Sequence, residues 1–154
     1  IKLMNKQALI NALFSSFGAF VCIGFLAYLD SSIEGAVWLI PPFGASMVLV
    51  MAVHESPLAK PKNLILGHIL SALSGVIIFY LFGNTFISLG LGVALAMFVM
   101  MISNTVHPPA GANPIIVILT EQSLNFIFLP VAIGAIIIVI FAYLYNRLLK
   151  RNYF

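Results

Sequence analysis

Two short stretches of this sequence combine residue types that could do chemistry. Pro41-Pro42-Phe43-Gly44-Ala45-Ser46 and Pro108-Pro109-Ala110-Gly111-Ala112-Asn113 share a pattern at an offset of 67 (108 − 41), and His107 stands directly before the second. Proline fixes φ and has no N–H, so it suits the first turn of a helix and disrupts one deeper in. It also pushes the residue before it to an extended conformation. Trp38 to Pro41 and Asn104 to Pro108 are therefore expected to be non-helical approaches, with half-helices starting near Pro42 and Pro109. Gly44 and Gly111 remove side chains where backbone must approach another backbone or a ligand. The start of a helix offers unpaired N–H groups and the positive end of its dipole, which suits an anion. The candidate anion-binding groups are thus Pro42, Phe43, Gly44 and Ala45 in the first stretch and Pro109, Ala110, Gly111 and Ala112 in the second. Ser46 and Asn113, at matching positions, add neutral donors, and His107 could sense pH or carry a proton. The residue matching His107 is Ile40, so the site is not expected to be symmetric.

A plainer reading stands beside this one. A Pro-Pro-x-Gly stretch can be a kink at a close helix contact, although two copies at one offset weaken that account. His107 serves equally well as a structural hydrogen-bonding residue that caps a broken helix. His68 lies among Gly67, Ser71 and Gly75, a spacing that predicts small-residue packing with the imidazole as a buried hydrogen-bond partner. His54 and Glu55 are expected to be solvated, and Met97, Met100 and Met101 to fill packing gaps or face lipid. Enzyme signals are weak. The three histidines form no H-E-x-x-H pattern, and neither a phosphate-binding glycine loop with its lysine nor a G-x-S-x-G elbow occurs. Cys22 is the only cysteine, which excludes a disulfide or a cysteine metal cluster within one chain. The expectation is therefore a non-enzyme with no catalytic residue, metal or cofactor.

The elements that must hold these stretches are hydrophobic. Apolar residues make up 62% of the 154 positions and charged residues 7%, with a mean hydropathy of +1.15. A soluble domain carries about a quarter charged residues, so this chain cannot clothe a water-soluble globule. Its few Lys and Arg residues form no dense basic stripe, which argues against nucleic acid as a partner. Lys2 and Lys6 precede the first apolar run, Lys60 and Lys62 sit in a polar loop, and Arg147, Lys150 and Arg151 follow the last run. Apolar runs at about 8–29, 64–83, 86–103 and 126–149 are long enough to cross roughly 30 Å of hydrocarbon. The expected fold is an all-α integral membrane protein in the lipid bilayer. It has four full transmembrane helices and two broken, half-helix segments. It forms one domain over residues 1–154, built as repeat units of about 8–83 and 86–149. If all six segments cross, the basic residues fall on one side with both termini cytoplasmic, as the positive-inside rule prefers in an inner (plasma) membrane. An odd number of segments per unit then makes the repeat inverted, with a site near mid-depth.

The ordered set of motifs resembles the HPP family of small integral membrane proteins. The residues that carry the resemblance are Pro41 to Ser46, then Ser56-Pro57-Leu58-Ala59 with Pro61 and Asn63, then Gly67-His68, and finally His107-Pro108-Pro109-Ala110-Gly111-Ala112. Together they span roughly Trp38 to Thr120. The resemblance implies a bacterial or plastid-type membrane protein with four transmembrane helices, and a role in nitrite transport, as attributed to some plant and cyanobacterial members. Joined to the half-helix reading, it predicts a transporter or channel for a small anion, nitrite first. The alternatives are a neutral-solute or cation pathway, and a membrane enzyme or assembly subunit that uses His107. Six segments enclose little space, and the small-residue face around Gly67, Ser71 and Gly75 suggests a homo-oligomer.

Overall fold

The computed structural model describes residues 5–154, so Lys2 lies outside the described residues. The described residues contain helices and no strand: α1 (Lys6–Ser32), α2 (Pro41–Ala52), α3 (Pro61–Phe82), α4 (Phe86–Ile102), α5 (Asn113–Leu119) and α6 (Ile133–Leu148). Their ends follow local chemistry. The Asn5 side chain accepts from the Ala8 N–H at 2.7 Å to cap α1, and Thr85 caps α4 through the Ser88 N–H. Gly83, at φ +67°, lets the chain leave α3 in the left-handed region. Tight turns over Pro57–Ala59 and Pro108–Ala112 precede α3 and α5.

Three helices are long and apolar enough to cross a membrane: Lys6–Ser32, Pro61–Phe82 and Ile127–Leu148. The fourth expected span is shorter than the others, because α4 has 17 residues and reaches about 26 Å at 1.5 Å per residue. The last span is not uniform either. It opens with a wide turn over Ile127–Ala132, in which Leu129 is extended (φ −131°, ψ 122°) as the residue before Pro130. Outward faces are apolar: Leu13, Phe17 and Phe20 of α1 and Phe98 and Met101 of α4 are exposed, as lipid contact requires. Met97 is exposed with them, while Met100 is buried.

The two proline-led stretches form matching arms, Pro41–Ala52 and Pro108–Leu119, and the offset of 67 carries the first onto the second (41 + 67 = 108; 52 + 67 = 119). Ile40 and His107, the residues before them, are both extended, at φ −126° and −136°. Each arm is gripped by the long helix of the other half. A Cβ on Gly134 of α6 would lie 2.6 Å from Cζ of Phe43 in the first arm. A Cβ on Gly67 of α3 would lie 2.9 Å from Cβ of His107, and one on Gly75 would lie 2.7 Å from Cα of Pro114. Lipid tails are as apolar as the side chains they replace, so such close backbone approach and buried hydrogen bonds hold the arms in place. Asn146 of α6 adds one of the latter, donating to the Val50 carbonyl at 3.0 Å. The Gly67, Ser71 and Gly75 face is thus used within the chain. It gives no support to the second copy expected from it.

Polar ties gather one end of the bundle. Arg151 donates to the Asn11 carbonyl (3.1 Å), to Oγ of Ser15 (3.0 Å) and to the Met51 carbonyl (3.4 Å). Tyr153 donates to the Ala59 carbonyl at 3.0 Å, and the Lys60 ammonium sits 5.3 Å from the Phe154 ring centroid. The segments so tied carry every Lys and Arg of the described residues. Away from them, the Asp30 carboxylate accepts from the Trp38 N–H at 2.7 Å and turns the chain back toward the first arm.

Candidate functional site

The arms meet on α3. His68 lies seven residues into that helix (68 − 61), about 10 Å from its start, and is fully buried. Ser46 of the first arm places its Oγ 2.8 Å from Nε2 of His68 and 2.8 Å from Nε2 of His107. Asn113 of the second arm places Nδ2 3.0 Å from Nδ1 of His68 and 3.0 Å from the His68 carbonyl. The matching residues Ser46 and Asn113 (46 + 67 = 113) thus hold opposite nitrogens of one imidazole. Nδ1 of His107 is 2.8 Å from the carbonyl of Leu58, in the Pro57–Ala59 turn. The Phe43 ring stands edge-on to His68 with centroids 5.4 Å apart, and the two imidazole centroids are 5.0 Å apart. Ser46, His68, His107 and Asn113 are all 0% exposed, so these hydrogen bonds form in a medium where an unmade one costs most.

The second arm folds differently from the first for a local reason. Pro114 has no N–H to give the Ala110 carbonyl, and its ring crowds that carbonyl. The turn Pro108–Ala112 therefore winds tightly, the Asn113 N–H reaches back to Ala110, and the hydroxyl of Ser71 donates to the same oxygen. Met47 stands at the corresponding place in the first arm, which is α-helical from Pro41. One proline thus turns Ala110 into an anchor for α3.

The expected backbone donors are distributed unevenly. Pro42, Phe43, Pro109 and Ala110 are buried, and the Phe43 and Ala110 N–H groups bond to the Ile40 and His107 carbonyls at 3.0 and 2.9 Å. Gly44 and Ala45 are exposed, Gly111 and Ala112 half-buried. A Cβ on Gly44 or Gly111 would meet nothing within 4 Å, so neither glycine is there to let backbone approach backbone. A shallow apolar recess lined by Ile23, Leu39, Ile40, Pro41 and Gly44 opens beside the first arm. His68 is the residue the sequence left outside the site. It is the buried hydrogen-bond partner its neighbours suggest, but the partners are the two arms, and nothing in its spacing announces that.

A model of the HPP transmembrane region matches residues 4–154. The chain belongs to the HPP transmembrane family. Two transmembrane proteins of Dictyostelium discoideum are similar to it. One is 35% identical over 148 residues, covering 90% of this chain and 52% of the relative; the other is 33% identical over 146 residues, covering 90% and 47%. The chain thus spans about half the length of these curated relatives. No solved structure matches it. In this HPP chain the tripeptide His107-Pro108-Pro109 has a clear geometry. The prolines start the second arm, and the extended residue before them turns its imidazole inward to Ser46 and Leu58.

Proposed function

We propose that this HPP protein moves a small monovalent inorganic anion across a membrane, with nitrite the first to test. The observation behind the reading is the neutral, buried cluster of Ser46, His68, His107 and Asn113 where the two arms meet. Two ionisable side chains buried inside a membrane-spanning bundle make the cluster a candidate for a pathway. No Lys or Arg of the described residues enters the cluster, so an anion would meet side-chain dipoles and the positive ends of the arms instead of a fixed positive charge. Such a site binds weakly and releases quickly, which suits passage. The pathway would run past Gly44 and Gly111, both open to space, and a second copy against the exposed Gly44-Ala45 side of α2 would close the recess there. In this reading the protein is no enzyme, and the positive end of the bundle faces the cytoplasm.

The test is nitrite flux into proteoliposomes, with and without a pH gradient. Flux above protein-free vesicles is expected, and bulky substitutions at Gly44 and Gly111 should reduce it. Flux that ignores both substitutions would remove the arms from the pathway.

A further inference from the structure

The basic end of the bundle carries a charge that the protein leaves unbalanced. Arg151, half-buried, lays its guanidinium between the start of α1 and the end of α2. Its partners are the Asn11 and Met51 carbonyls and the Ser15 hydroxyl, all of them neutral. A guanidinium has five N–H donors in a planar fork. Two hydrogens on Nη1 and one on Nη2 are engaged here, so Nε and the second hydrogen of Nη2 stay free. Among the described residues the carboxylate at this end is Glu55, which is exposed in the polar loop and does not pair with Arg151. A partly buried positive charge at the edge of hydrocarbon calls for an anion.

A cleft of about 420 Å³ lies beside that guanidinium, lined by Ala8, Asn11, Ala12, Ser15, Ser16 and Ala52. Asn11, Ala12, Ser16 and Ala52 are exposed, so the cleft opens to the outside of the bundle. A narrower groove shares Ser15, Ser16 and Ala52 with it and runs deeper along the α1–α2 seam, past Ala19, Met47 and Val48. The path changes character on the way. Its mouth is polar, and about 12 Å further along α1, from Asn11 to Ala19, its walls are apolar. The 27 residues of α1 reach about 40 Å against roughly 30 Å of hydrocarbon, so its first turn lies among headgroups and Ala19 lies in the apolar layer. The recess between Ile10, Leu13, Phe14 and Phe17, by contrast, is lined by apolar side chains and offers a headgroup nothing.

We propose that the α1–α2 seam holds one anionic phospholipid from the leaflet at the basic end, with its phosphate on Arg151 and Ser16 and an acyl chain in the groove past Ala19. The fit is one of charge and of shape. The free N–H groups of the guanidinium suit phosphate oxygens, and the exposed Ser16 hydroxyl at the same mouth can donate a further bond. Exposed Lys6, Arg147 and Lys150 at this end add attraction that favours an anionic headgroup over a zwitterionic one. A free phosphate would use the mouth and leave the groove empty. A second copy related by a two-fold axis would fill the groove but bring the same positive charges against these. The lipid satisfies both halves of the path. It would also tie α1, the least covered of the three long spans, to α2 and to the chain after α6. The site lies apart from the Ser46, His68, His107 and Asn113 cluster and does not depend on the transport reading.

Native mass spectrometry of the full chain in detergent, with phosphatidylglycerol and phosphatidylcholine of identical acyl chains at equal concentration, tests the site. Wild type should retain one phosphatidylglycerol with a preference of about fivefold over phosphatidylcholine. Arg151→Gln should abolish the preference, whereas Lys150→Gln, which removes the same charge one residue away, should keep most of it. Equal losses in the two variants, or no preference in wild type, overturn the site in favour of diffuse attraction to a basic surface. Ser16→Phe fills the mouth and the groove without changing charge and should lower retention of both lipids; unchanged retention overturns the seam as the place of binding. Thermal melts separate the other occupants. Phosphatidylglycerol should raise the melting temperature and inorganic phosphate should not; equal protection by phosphate overturns the lipid and leaves a free-anion site. A dimer that Ser16→Phe dissociates, with no lipid retained by wild type, overturns the lipid and gives the seam to a second copy. Should Arg151→Gln fail to fold, the wild-type preference and Ser16→Phe decide.

Discussion

The two arms begin alike and end up doing different work. Both start with Pro-Pro after an extended residue, both run twelve residues, and both are wedged against a glycine of the opposite half. The first arm is a regular helix that presents one polar atom, Oγ of Ser46, to the centre. The second brings His107 and Asn113, winds tightly over Pro108–Ala112, and ties itself to α3 through Ala110. A repeated frame thus holds an unrepeated cluster. The shared positions are those that place backbone, and the differing ones, Ile40 against His107 and Met47 against Pro114, are those that place chemistry.

The comparison can be broken first at its sockets. Gly67→Ala pushes a Cβ to 2.8 Å from the Thr105 carbonyl, a backbone atom that cannot yield, and should cost about 3 kcal/mol. Gly134→Ala drives its Cβ into the fully buried Phe43 ring, a side chain that must swing aside by about 1 Å but is not fixed backbone, and should cost about 2 kcal/mol. Unfolding in detergent, followed by thermal melts, ranks the two; equal losses would show that the sockets are equivalent after all. Next comes the chemistry. His107→Ile gives the second arm the residue of the first, takes the partner of the Leu58 carbonyl and leaves the Ser46 hydroxyl with His68 and the Pro42 carbonyl, at a cost of about 1–3 kcal/mol. Adding Ile40→His should restore neither the stability nor the nitrite flux, because residue 40 has no Leu58 opposite it. Recovery in the double variant would mean that the arms are interchangeable.

Smaller effects sharpen the picture. Pro114→Met returns an N–H that can bond the Ala110 carbonyl and should draw the second arm toward the α-helix of the first, with a stability change within about 1 kcal/mol. Hydrogen exchange should then show a protected amide at position 114; a fast-exchanging one would locate the tight turn's cause elsewhere. Smallest is Tyr153→Phe, which removes one hydrogen bond to Ala59 at the polar end and should cost about 0.5–1.5 kcal/mol. Burial pushes the Tyr153 hydroxyl up to about 12. An unfolded tyrosine titrates near 10, so the contribution is complete below about pH 10 and fades as pH rises toward 12. Melts of wild type and Tyr153→Phe should therefore differ at neutral pH and converge in strong alkali.

What the sequence made legible was local. Proline and the residue before it obey steric rules that need no knowledge of the rest of the chain, so both arm starts and the offset between them could be read directly. Ser46 and Asn113 followed from the offset. His68 did not, because its partners lie 22 and 45 residues away and no spacing rule links α3 to either arm. Gly67, Ser71 and Gly75 announce close packing but not against what, which is why they pointed outward to a second copy instead of inward to the second arm. Pro130 is a local signal of the same kind as Pro41 and Pro108, yet the apolar run around it reads as one span and hides the extended Leu129. The bounds of α4 were legible to within a residue, because a polar turn ends the apolar run just past Ile102.

The crossing grip of the arms also bears on how the chain is made. Phe43 is synthesised 91 residues (134 − 43) before the glycine that receives its ring. Until then the first arm has no socket, although Asp30 can already hold the Trp38 and Leu39 N–H groups of its extended approach. The fold closes only when the last helix arrives.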